Sequence, residues 1–140
     1  MNTTQGFVLV PLAREKSGHI TVEAQLAGRA ARFIVDTGAG GTIVDVSAAD
    51  AFQLKLRSHH KEGGGVGSGP LEVNLVARHD LRLAGVDLSG TKLLAMDLSH
   101  VNARLAKAGV EPVVGVVGAD FLWRHRAVID YDKGQMLFSE

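Results

Sequence analysis

The acid whose setting suggests chemistry is Asp36, in the stretch Phe33-Ile34-Val35-Asp36-Thr37-Gly38-Ala39-Gly40-Gly41-Thr42-Ile43-Val44-Asp45. Val, Ile and Phe on both sides predict two buried strands joined by a tight glycine loop. A carboxylate is costly there unless it is paired or hydrogen-bonded. Glycine lets the backbone turn sharply and bring N–H groups close to it. The expectation is one carboxylate in a fixed, partly desolvated place. Its ordinary role in a glycine turn would be to accept backbone N–H bonds as a cap. Its context argues for more.

A second candidate is Gly63-Gly64-Gly65-Val66-Gly67-Ser68-Gly69. A phosphate loop would end in Gly-Lys-Ser/Thr, and no lysine follows here. A dinucleotide fingerprint would need a helix after it, whereas Leu71 to Val76 alternates like a strand. The run therefore reads as an exposed loop or as the tip of a hairpin. The six histidines show no metal-ligand spacing, and His59-His60 on a strand would point to opposite faces. Solvated histidines are expected, with no metal and no cofactor. Arg124-His125-Arg126 reads as a solvated turn, and Trp123, the single tryptophan, as a core or subunit-surface residue.

The elements that must position these residues are short. Phe7 to Leu12, Ile20 to Leu26 and Ala31 to Val35 predict a meander that delivers Asp36 at a strand end. Thr42 to Val46 leaves it as another strand. Ser47 is the expected cap of a helix over 48–54, and Ser99 of a helix over 99–107 stopped by Gly109. Strands are expected at 71–76, 81–83, 91–96 and 113–118, a helical turn at 119–124, and a hairpin over 127–138 around Asp132-Lys133-Gly134.

Composition narrows the function. The chain has 140 residues, which predicts one domain over 1–140. Lys+Arg and Asp+Glu each number 15, so the balance argues against nucleic-acid and membrane-surface binding. Absence of cysteine excludes disulfides, thiolate metal sites and a cysteine nucleophile. Seventeen glycines against three prolines, between short apolar runs, suggest mainly β structure. The N-terminal residues lack a signal-peptide pattern, and no apolar run is long enough to span a bilayer, so a cytoplasmic location is the expectation.

Three features in one order resemble the retropepsin-like aspartic proteases, bacterial members more than viral ones. They are Asp36-Thr37-Gly38-Ala39, Gly64-Gly65-Val66-Gly67, and Val116-Val117-Gly118 with Asp120 two places on. The resemblance runs from about Ile20 to Phe138. It implies an all-β fold with short helices, a closed acid-protease β-barrel with one lobe per chain. It also implies an aspartic endopeptidase in which two carboxylates share a proton and hold a water. Like charges about 3 Å apart cannot both ionise. Only one Asp-Thr-Gly is present, and Ile129-Asp130-Tyr131 lacks the glycine of a second loop. The resemblance therefore implies a homodimer with Asp36 from each chain facing across a two-fold axis. Thr37 would bond across that axis and Gly38 would line the substrate backbone. Ala39, Gly65, Val66, Gly67 and Val117 would contact a peptide substrate, with residues 63–69 as a flap. The terminal strands, 7–10 and 135–138, would form the intersubunit sheet.

Viral members carry acids where this chain has Gly40 and Gly41, and an Arg where it has Ala119. Both ends of a charge pairing are missing together, which avoids an unpaired buried charge. Ala39 stands where pepsin-like members place a hydroxyl, so a less acidic optimum is expected, roughly pH 4 to 6.5. The alternative is a retropepsin-like peptide-binding or dimerisation domain that does not cleave. A phosphate loop of the actin-like or sugar-kinase ATPases is excluded by length, since that fold needs two large halves.

Overall fold

The structure, a computed structural model, describes residues 3–4 (as backbone), 6–58 and 72–140. The chain runs β1 (Thr3–Thr4), β2 (Phe7–Pro11), β3 (Ala13–Arg14), β4 (Ile20–Leu26), β5 (Arg29–Val35) and β6 (Thr42–Asp45). Helix α1 (Ala48–Ala51), β7 (Leu56–Ser58), β8 (Asn74–Val76), β9 (Arg82–Leu83), β10 (Val86–Asp87) and β11 (Leu93–Met96) follow. The last elements are α2 (Ser99–Lys107), β12 (Gly115–Val117), α3 (Ala119–Arg124), β13 (Val128–Asp130) and β14 (Gln135–Ser139).

The fold is mainly β, as the sequence predicts. Among the described residues the larger sheet runs β10-β9-β4-β5-β12-β6-β11-β8-β7, with β3 also on β4. This path is open at both ends. The core is enclosed by a second sheet of order β1-β2-β14-β13, whose Val8, Val10, Met136 and Phe138 share one cluster with Val22, Phe33, Val44 and Val117.

Strand β4 shows how pattern becomes packing. Val22, Ala24 and Leu26 point inward while Glu23 and Gln25 face water. Each fully buried side chain of the Val or Leu kind contributes about 1.5–3 kcal/mol. Ala27 and Gly28, at φ 53° and 71°, form the two-residue turn into β5, with Leu26 opposite Arg29.

The centre of the larger sheet has a topology that local patterns do not reveal. Strand β12 lies between β5 and β6, the two strands that flank Asp36. It pairs parallel with β5, Val117 opposite Val35, and antiparallel with β6, Gly115 opposite Val44. Its three residues are all buried, which explains a continuous apolar run in place of alternation. Phe33, Val35 and Val117 pack in the main core, and Ile34 and Val116 in a smaller one with Leu98, Leu105, Val110 and Val113.

The terminal strands differ from expectation. Strands β2 and β14 pair antiparallel with each other in one chain, from Phe7–Ser139 to Pro11–Gln135. Strand β1 covers the other edge of β2 and β13 the other edge of β14. Neither terminal strand has an edge left for an intersubunit sheet.

Two expected helix caps also change. The side chain of Ser47 caps nothing: its hydroxyl donates to Asp45 Oδ2 at 2.9 Å. Ser99 is the first residue of α2, and its N–H donates to Asp97 Oδ1 at 2.8 Å. Gly109 ends α2 with φ 75°. No helix among the described residues is long and apolar enough to cross a membrane.

Candidate active site

Asp36 follows the last residue of β5, and β12 holds it there. Its N–H donates to Val117 O at 3.0 Å, continuing the parallel ladder one step past the strand. Its Oδ1 accepts the Gly38 N–H at 2.8 Å, and its carbonyl accepts the Ala39 N–H at 3.2 Å. The carboxylate is thus fixed by its own loop, as turn chemistry predicts.

Asp36, Thr37 and Gly38 are all exposed on the single chain. The partial desolvation expected from the sequence is absent, because the apolar strands end before the loop. The ion pair found among the described residues, Arg32 with Glu15 at 3.9 Å, does not involve Asp36.

The loop glycines have a different reason from the one expected. None of Gly38, Gly40 and Gly41 has a positive φ. At Gly38 the requirement is close approach, since a Cβ would lie 3.2 Å from Asp36 Oδ1. Gly118 is more tightly constrained. A Cβ there would sit 2.2 Å from Gly41 O and 2.8 Å from Ala39 O. The adjoining Ala119 N–H donates to Ala39 O at 2.6 Å. The end of β12 and the start of α3 therefore press directly on the acid loop.

Thr42 completes the clamp. Its buried hydroxyl donates to Asp120 Oδ1 at 2.8 Å and accepts the Gly118 N–H at 3.2 Å. Asp120 Oδ1 also accepts the Phe121 N–H at 2.8 Å, at the first turn of α3. Thr42 was not among the residues singled out from the sequence. The available signal was a hydroxyl opening the apolar strand Thr42-Ile43-Val44, where a buried donor needs a partner.

The other expected site residues divide. Ala39 is half-buried against the smaller core, beside the acid loop. Val117 is buried in the main core and offers no surface to a substrate; it acts through the carbonyl that receives the Asp36 N–H. Gly65, Val66 and Gly67, with the rest of the glycine tip, lie outside the described residues. The strands that lead to and from that segment, β7 and β8, pair antiparallel with Ser58 opposite Asn74.

The basic cluster does not behave as one solvated turn. His125 is buried, its ring 4.6 Å from that of Phe121, with Nδ1 bonded to Ser139 O at 2.7 Å. Trp123 is 84% exposed, which removes the core option for it. A groove of about 510 Å³ runs beside it from Thr37 to Ile129.

An Asp-Thr-Gly loop braced by a strand threaded between its two flanking strands is the arrangement that the resemblance implies. A family model described as aspartyl protease matches residues 22–121. The chain belongs to the aspartyl protease family. Its fold is retropepsin-like. The chain is similar to a retropepsin-like aspartic protease from Rickettsia conorii at 17% identity, over 95% of this chain and 89% of that one, with a TM-score of 0.59. It is also similar to the EIAV protease, in a structure complexed with the inhibitor HBY-793. That likeness has 18% identity over 74% of this chain and 85% of that one, with a TM-score of 0.52. At such identities the likeness is one of fold. No curated protein sequence matches this one.

Proposed function

We propose that this aspartyl protease-family chain is one half of an aspartic endopeptidase, and that two copies place their Asp36 carboxylates together to cleave peptide bonds. The observation that carries this is the exposed, rigidly braced Asp36-Thr37-Gly38 loop, held from behind by Val117, Gly118 and Thr42. A purely structural acid would be expected to spend its carboxylate on the fold. Here the loop is supported mainly through its backbone, while the acid stands at the surface.

In this reading one carboxylate of the pair is ionised and the other protonated, as two acids at close range require. The ionised acid takes a proton from a water between them, and the resulting hydroxide attacks the peptide carbonyl carbon. The protonated acid donates to the carbonyl oxygen as it gains charge. Collapse of the tetrahedral species breaks the C–N bond, with a proton passing to the leaving amine. Thr37 bonds to its counterpart across the axis, and Gly38 accepts a peptide backbone close to the acids. Ala39 lines the substrate side. The segment carried between β7 and β8, with Gly65, Val66 and Gly67, is assigned the flap role on the sequence resemblance.

The test is cleavage of a peptide library from acidic to neutral pH by the purified protein and by Asp36→Asn. The expected result is cleavage by the parent that disappears in the variant. Equal cleavage by both would sink the assignment. Peptide binding without cleavage at any pH would favour a non-catalytic binding domain.

A further inference from the structure

We propose that the second copy of the chain seats on the apolar groove between α3 and β13, with Trp123 as its anchor. This rests on the endopeptidase reading for the need of a second copy. The terminal strands are not available for that contact, because β1, β2, β14 and β13 already complete a four-stranded sheet within one chain.

Three observations point to this groove. It begins at Thr37, one residue from the acid, and continues along Leu122, Trp123, Arg126, Ala127 and Ile129. A second Asp36 can reach the first only if its chain covers the Thr37 end, so the groove is continuous with the face that the site must bury. Trp123 is 84% exposed and Val128 on β13 is 51% exposed, an unusual cost for large apolar side chains on neighbouring elements. Finally, β13 pairs with β14 alone among the described residues, so its other edge is an open row of backbone donors and acceptors. Such edges are normally covered or blunted.

The charge in the groove does not oppose this. The Arg126 guanidinium stacks over the Phe7 ring at 5.6 Å, and its Nε donates to Ser139 Oγ at 3.4 Å. Trp is the residue type most enriched at interface positions that dominate affinity.

Trp123 is the chain's single tryptophan, so its emission reports on this face alone. The experiment is a dilution series of the full chain, read in parallel by sedimentation velocity and tryptophan emission. A second arm repeats it with Trp123→Glu and checks the fold by circular dichroism. The expected result is a blue shift that tracks dimer formation, and a dimer dissociation constant raised about thirtyfold or more in a folded variant. A dimer whose emission stays that of a solvated indole overturns the proposal, as does a variant that dimerises as well as the parent. A chain that stays monomeric at all concentrations, or a shift that needs added peptide, also overturns it. Peptide cleavage by a dimer with unshifted emission would leave the endopeptidase reading standing and remove this one. A shifted dimer that never cleaves would do the reverse.

Discussion

The Thr42 hydroxyl donates to Asp120 across 2.8 Å and joins residues 78 positions apart in the chain. The same oxygen accepts the Gly118 N–H, so one buried atom ties the strand leaving the acid loop to the strand and helix behind it. Thr42→Val keeps the shape and removes both bonds. It should destabilise the fold by about 1–3 kcal/mol, because the Gly118 N–H is left buried without a partner. Urea unfolding of parent and variant measures this. Asp120→Asn retains an acceptor oxygen and should cost clearly less; an equal loss in both would mean that charge, not the bond, carries the effect.

Gly118→Ala tests the contact from the other side. The added carbon would meet Gly41 O at 2.2 Å and Gly41 C at 2.6 Å, and backbone cannot swing away as a side chain can. A loss of about 3 kcal/mol or more is expected, with any surviving protein showing a displaced acid loop. Gly40→Ala meets nothing within 4 Å and has no positive φ. Its stability should stay within about 0.5 kcal/mol of the parent. Thermal melts of the two variants side by side decide the point.

Asp45 shows what an acid looks like when the fold consumes it. It is buried, and its two oxygens accept from the Ser47 hydroxyl at 2.9 Å, the Leu98 N–H at 3.2 Å and Asn102 Nδ2 at 3.4 Å. Asp45→Asn must turn an amide NH₂ toward one of these donors. A loss of about 1–3 kcal/mol is expected, seen as a lower denaturation midpoint. Unchanged stability would mean that Asn102 reorients to compensate, which a crystal structure of the variant would show.

Asp97 supplies the pH dependence. The Ser99 N–H, and then the Ser99 hydroxyl, hold its carboxyl below the ordinary value of 3.8. A lowered folded value means that the stabilisation is complete above 3.8 and is lost as pH falls through the folded value. The melting-temperature gap between parent and Asp97→Ala should therefore be level from neutral pH to about pH 5 and should narrow below that. Asp87, held low first by the Ser89 N–H, should behave alike. A gap that widens on acidification would contradict the assignment.

Much of this fold was legible because local pattern matched final burial. Ile20 to Leu26 alternates, and β4 occupies those residues; Ala119 to Arg124 does the same for α3. The acid loop was legible through residue order. What failed was long-range. Gly115 to Val117 reads as a buried strand, but nothing local says that it inserts between β5 and β6. Ser47 and Ser99 look like caps until Asp45 and Asp97 are seen beside them, offering stronger acceptors. His125 looks solvated until β14 brings Ser139 O to its ring. The terminal strands followed the resemblance and missed the pairing of β2 with β14, since a hydrophobic strand does not specify which edge it will meet.

The position of β12 has a consequence for how the molecule comes into being. Strands β5 and β6 border a gap that residues 115–117 fill, so their final spacing cannot form before those residues are present. During synthesis, residues 33–45 leave the ribosome roughly 70 residues ahead of the strand that locks them, a delay of several seconds at ordinary elongation rates. The reactive loop is thus assembled near the end of translation, and an incomplete chain carries the acid without its geometry. For a chain that belongs to a protease family, late assembly keeps unfinished copies inert.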